Sequence, residues 1–152
     1  MTPRILVALL MTLFAFAPAL AQNPVEITAD QTVMDDAKRE VIFNGDVIVV
    51  HPTVTVWAPK VIATYGEGGT SDIETFVATG GNVRLKTKDQ DATGSHAVYT
   101  PGDQLLRLTG DVTVTNASGT VNASELVVNL ATNVSTFTST GGGRVTGVFT
   151  SQ

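Results

Sequence analysis

The sequence predicts an all-β chain built from a repeated unit. Three observations carry this. Apolar residues recur at every second position and not at a spacing of 3.6, Val and Thr are abundant, and one short phrase returns along the chain. The phrase is clearest as Leu106-Arg-Leu-Thr-Gly-Asp-Val-Thr-Val114, and Val41-Ile-Phe-Asn-Gly-Asp-Val-Ile-Val49 is nearly the same. Ala78-Thr-Gly-Gly-Asn-Val-Arg-Leu85 is looser and Thr140-Gly-Gly-Gly-Arg-Val145 fainter. The anchoring glycines Gly45, Gly81, Gly110 and Gly143 lie 36, 29 and 33 residues apart. Such a period predicts units that stack on their neighbours to bury an apolar face.

Taken in order, the chain opens on a segment that does not belong to the fold. Arg4 gives a positive start, Ile5 to Phe16 is an almost unbroken apolar run, and Pro18-Ala-Leu-Ala21 closes it with small residues at Ala19 and Ala21. This predicts a secretory signal peptide over 1–21, cleaved before Gln22, with one domain over 22–152. The apolar run is short for a membrane span of about 20 residues.

Val25-Glu-Ile-Thr-Ala29 alternates as a first strand, Thr32 to Met34 resumes it, and Asp35-Asp36 makes a polar turn. Val41 to Phe43 and Val47 to Val50 are expected as two strands joined through Asn44-Gly45, a pair that tolerates positive φ. Pro52 interrupts, Thr53 to Val56 alternates, and Ala58-Pro-Lys60 is expected to turn the chain into Val61 to Tyr65. Gly66 to Asp72 reads as a surface loop, followed by strands at Ile73 to Val77 and Asn82 to Lys86. Lys88 to Asp91 is a solvated turn and Gly94 to Tyr99 is extended. Pro101-Gly102 has the order of a type II turn. Beyond the Leu106–Val114 phrase, Asn116 to Gly119 turns the chain into strands at Thr120 to Ala123, Glu125 to Leu130, Val134 to Thr138 and Arg144 to Phe149. Short strands at this spacing fit a sandwich, a jelly roll or a solenoid-like stack, and the repeats favour the stack.

Composition excludes several functions. Without residues 1–21 the chain holds 8 basic against 14 acidic residues and no polybasic run, which argues against nucleic acid as a partner. With no cysteine, an exported domain stands on its core without disulfides or thiol chemistry, and no lipoprotein anchor is indicated. His51 and His96 lack metal-ligand spacing, so no metal and no cofactor is expected. No G-x-S-x-G elbow accompanies the serines, and the glycine runs lack the Lys-Ser/Thr of a phosphate loop. Asp35-Asp36 and Asp89/Asp91 are carboxylate pairs that a small polysaccharide-active enzyme could use, but Asp in polar turns commonly bonds nearby backbone. No catalytic residue is assigned.

What remains is an interior. Alternation places Val25 and Ile27 on one face, then Val41, Phe43, Val47, Val49, Val54 and Val56. Val83, Leu85, Leu106, Leu108, Val112, Val114, Leu126, Val128 and Leu130 continue it. By pattern alone this stripe packs on itself.

Ile27-Thr-Ala-Asp30, Val41 to Val49, Val56-Trp-Ala-Pro-Lys-Val61, Ala97-Val-Tyr99, Leu108-Thr-Gly-Asp-Val112 and Ala123-Ser-Glu-Leu126 come in a telling order. Over 25–139 the series resembles the OstA-like proteins, the periplasmic lipopolysaccharide-transport proteins of the LptA kind. The resemblance implies a twisted, open β-jelly roll, two sheets folded like a V around an apolar inner groove. It implies a periplasmic bridge that shields the lipid A acyl chains of lipopolysaccharide, its partners being homologous jelly-roll domains of inner- and outer-membrane components, or further copies of itself added head to tail. Val25, Ile27, Met34, Phe43, Val83 and Tyr99 match family positions that face acyl chains. Trp57 stands where the family pattern has a polar residue. The competing expectation is a structural β module that joins homologous domains edge to edge and carries no lipid.

Overall fold

The structure, a computed structural model, describes residues 24–151; the expected signal peptide lies outside the described residues. Twelve strands follow one another: β1 (Glu26–Thr28), β2 (Gln31–Asp35), β3 (Glu40–His51), β4 (Val54–Tyr65), β5 (Ile73–Thr79), β6 (Val83–Lys86), β7 (Gln90–Gly94), β8 (His96–Thr100), β9 (Leu105–Asn116), β10 (Gly119–Asn129), β11 (Val134–Thr138) and β12 (Thr146–Phe149). The only helical piece among the described residues is a 3₁₀ turn at Gly69–Ser71. All strand pairings are antiparallel.

Four of these strands are longer than the alternation suggested. Val41–Phe43 and Val47–Val50 are one strand, β3, and Asn44-Gly45 is no hairpin turn. Gly45 and Asp46 both have positive φ, 82° and 43°, and the β3–β4 register slips there by one residue. The pair is a β-bulge that bends the strand without ending it. Gly110 and Asp111, at φ 85° and 47°, do the same in β9. Pro59 likewise sits inside β4 and does not turn the chain. It falls in the register slip between Asn44 and Val47, where a missing N–H costs no ladder bond. In β10 the slip lies between Ala123 and Glu125.

The bends explain the architecture. Hydrogen bonds connect all twelve strands, but each long strand takes part in two ladders. One ladder runs β2, β3, β4, β5, β8, β9, β10, β11, using Glu40–Asn44 of β3 and Leu105–Thr109 of β9. The other runs β1, β3, β4, β6, β7, β9, β10, β12, using Val47–His51 and Thr113–Asn116. The result is a twisted, open jelly roll of two sheets joined by four bent strands.

The repeat is also larger than the glycine spacings suggested. β1 to β6 and β7 to β12 are two copies of one six-strand unit, and Gly45 maps on Gly110 with a shift of 65 residues. In each copy the fifth and sixth strands pair with the two halves of the fourth. Gly81 and Gly143 belong to a different place in the unit, the link between its last two strands. A kink residue precedes each bulge in the same way. Asp30 N–H donates to the carbonyls of Asn44 and Gly45 at 3.0 and 3.1 Å, and Ser95 N–H to that of Thr109 at 2.8 Å.

Candidate functional site

The inner faces of the two sheets meet in one apolar cluster. Val47, Val54, Ala58, Val83, Leu85, Ala92, Val112 and Val114 come from one sheet, and Val61, Ala78, Ala97, Leu106, Leu108, Leu126 and Val128 from the other. No polar or charged residue is buried among the described residues. A continuous hydrophobic interior is what period-2 alternation on every strand builds, since each strand then presents one dry and one wet face.

A cleft runs into this interior. Val25, Val49, Val54, Val56, Tyr99 and Leu106 line it, together with His51, Val61, Phe76, Ala78, Ala97 and Leu130, and its walls present no polar surface. The Phe76 and Tyr99 rings, neighbours on β5 and β8, stack on one wall with centroids 6.2 Å apart, and His51 meets Tyr99 edge-on at 5.9 Å. Burial pushes the Tyr99 phenol pKa up and the His51 imidazole pKa down. Thr53 places its N–H 3.2 Å and its hydroxyl 3.0 Å from His51 Nδ1. Nδ1 is therefore an acceptor and the ring proton sits on Nε2. The cleft volume is about 40 Å³, room for about three water molecules at most. It opens into a wider mouth of about 750 Å³ between the β3–β4 and β6–β7 turns and the stretch from Val128 to Ser135.

The residues singled out from sequence distribute unevenly over this site. Val83, Leu85, Leu108, Val112, Val114, Leu126, Val128 and Val47 are packed between the sheets. Ile27 and Phe43 are half-buried against that cluster, and Val41 belongs to a smaller one with Ala63 and Tyr65. Met34 is 62% exposed. It pairs with Val41 and so shares the inner face, but β2 is an edge strand that nothing among the described residues covers. Sequence reasoning missed Val61, Phe76, Ala78 and Ala97. On β5 both phases are apolar, Ile73 and Val77 against Phe76 and Ala78, so alternation could not choose a face. The stacking partner Tyr99 was the available signal. On β4 the inner phase shifts from Val54-Val56-Ala58 to Val61-Ala63-Tyr65 across Pro59, which a fixed alternation cannot follow.

Three of the four aspartates of the acidic pairs, Asp35, Asp36 and Asp91, bond neighbouring groups. Asp35 Oδ1 accepts the Lys38 N–H at 3.1 Å, and Asp36 accepts the Tyr65 hydroxyl at 2.7 Å. Asp91 takes both Arg84 donors, a hydrogen bond that holds its carboxyl pKa below the ordinary value. The Arg84 guanidinium lies 5.2 Å from the Trp57 ring centroid. This accounts for Trp57: on the outer face it stands directly opposite Arg84 and supplies a cation–π contact.

Fold and cleft together define a class of protein, an open β scaffold with a dry interior and, among the described residues, a sheet edge left unpaired at each end. The chain belongs to the family described as LptA/(LptD N-terminal domain) LPS transport protein, whose model matches residues 26–134. Among solved structures, LptH of Pseudomonas aeruginosa is similar with a TM-score of 0.72 at 18% identity, over 85% of this chain and 96% of that one. LptH is described as the LptA-homologous periplasmic component of the conserved lipopolysaccharide transport device. At that identity the likeness concerns the fold. No curated protein matches the chain by sequence.

Proposed function

We propose that this chain is a periplasmic lipopolysaccharide carrier, exported by a cleaved signal peptide over 1–21, that shields lipid A acyl chains between its two sheets. The observation that carries the reading is the cleft whose walls present no polar surface, opening on one side to a wet mouth. Each methylene kept from water is worth about 0.8 kcal/mol, so acyl chains need such a path, and shielding alone needs no catalytic group. A cavity of about 40 Å³ is too small for an acyl chain, so loading requires the sheets to part at the mouth. A photo-crosslinker at Ile27, Phe43 or Tyr99 then labels lipopolysaccharide, and one at the outer residue Trp57 does not. Labelling from Trp57 alone overturns the reading.

The two edges of the sheet support transfer along a row of homologous domains. Among the described residues, β1 and β2 pair only with β3, and β11 and β12 only with β10. Of the exposed large hydrophobics, Val33 and Met34 lie on β2, Val134 on β11, Val148 and Phe149 on β12, and Val145 beside it. Among the described residues only Val50 lies elsewhere. Unpaired, apolar edges invite strand addition. The seam between the two internal repeats, where β5 meets β8 and β6 meets β7, is the template for a joint between β11–β12 of one domain and β2–β1 of the next.

The tight interior also favours the second reading, a structural module that joins domains edge to edge without lipid. Purified periplasmic protein that carries no lipopolysaccharide and does not bind it on addition would establish that alternative.

A further inference from the structure

The cleft and its mouth share three residues, His51, Val54 and Leu130. These frame the threshold between water and the dry interior. The wet side is lined by Thr55, Thr87, Gln90 and Asn133, with Lys86 and Lys88 against a single carboxylate, Asp89. That balance runs against the chain, which holds 14 acidic and 9 basic residues. Lys38, Arg39, Arg84 and Arg107 each have a carboxylate within 4.0 Å, whereas Lys86 and Lys88 form no ion pair among the described residues. Asp91, opposite Lys86 in the ladder, is already held by Arg84. Both lysines are exposed at the turn that closes one lip of the mouth, Lys86 at its rim on the outer face of β6.

We infer that this mouth seats the phosphate-bearing head of an amphiphile whose tails enter the cleft past His51, Val54 and Leu130, with Lys88 and Lys86 as its cationic contacts. The inference rests on the carrier reading above and adds to it the place and chemistry of the head. Two free ammonium groups within one wet cavity suit a phosphate monoester, which stays hydrated on its open side. Exposed ion pairs are individually weak, so the tails supply most of the affinity and the lysines fix which end faces out.

The test uses the full mature chain and two probes, diphosphorylated lipid A and the same glycolipid enzymatically stripped of phosphate. Wild type binds the phosphorylated form more tightly. Lys86→Gln combined with Lys88→Gln abolishes that preference, costing about two- to thirty-fold in Kd for the phosphorylated form only. Lys60→Gln, which removes a cation far from the mouth, leaves the preference intact. Wild-type affinity that ignores phosphate, or a preference that survives the double variant, overturns the head site and leaves the acyl cleft standing. Binding of neither glycolipid overturns both. Inorganic phosphate binding as tightly as the phosphorylated lipid also overturns it, because the site would then serve a free ion.

Discussion

Phe76 and Tyr99 face each other across the β5–β8 pairing, their rings 17° from parallel and their centroids 6.2 Å apart. They sit on the seam between the two six-strand units. Shifting Tyr99 back by 65 residues gives Met34, the exposed residue of the edge strand β2. Phe76 maps on Ser135, because Thr79 pairs with Lys60 as Thr138 pairs with Glu125. A joint that copies the seam therefore sets Ser135 of one chain opposite Met34 of the next. The chain has no cysteine, so the register can be read directly. A mixture of Met34→Cys and Ser135→Cys chains is expected to form an intermolecular disulfide under mild oxidation, as opposed strand positions lie about 4.5–5.5 Å apart at Cβ. Val33→Cys with Ser135→Cys is expected not to, since Val33 points to the other face. Equal yields from both pairs would rule out this register.

The bulges make a second prediction. Gly110 has φ 85°, and a Cβ there would lie 2.6 Å from both Cβ and Oγ of Ser95. Gly110→Ala combines a left-handed backbone, costing about 1–2 kcal/mol for an L residue, with a clash against the kink of the β7–β8 stretch. Urea melts are expected to show a loss of about 2 kcal/mol or more. Adding Ser95→Gly removes the clash and should recover part of the loss, leaving the backbone share.

How far the sequence was legible follows from the same residues. Positive φ at Gly45 was readable from Asn-Gly, and the strand phase on each side of it was right. Its consequence was not readable, because a two-residue hairpin and a bulge within one bent strand have the same local signature. What separates them is the partner: β4 runs alongside both halves of β3, a long-range fact. The repeat was seen through its glycines, but these mark two different places in the unit, so their spacings averaged to half its length. The interior was legible wherever polar residues held the outer face, as at Val83-Arg84-Leu85-Lys86. It failed on β5, where both faces are apolar. Alternation also could not tell packed interior from cleft wall, since Leu108 and Val49 obey the same rule.

That last distinction can be measured. Leu108 is fully buried, whereas Met34 shares the inner face and is 62% exposed. Leu108→Ala opens a cavity between the sheets and is expected to cost about 2–5 kcal/mol, lowering Tm by about 10 °C or more. Met34→Ala removes surface that water already reaches, and its Tm is expected to change by no more than about 2 °C. A Leu108→Ala variant as stable as wild type would mean that the sheets are not closed on each other in solution.

His51 ties stability to pH. Its ring lies at the threshold of the cleft, edge-on to Tyr99, and Nδ1 is committed to Thr53. Burial lowers its pKa from the ordinary 6.5. The folded chain therefore binds a proton less readily than the unfolded chain, and between the two pKa values the unfolded state holds more protons. Stability from this group is complete above about pH 6.5 and is lost as pH falls through the folded value. Tm recorded from pH 8 down to pH 5 is expected to decline through this window in wild type. In His51→Phe, which keeps an aromatic ring against Tyr99 and cannot titrate, the decline should be shallower. Identical profiles for the two proteins would show that His51 is as solvated in the folded chain as in the unfolded one.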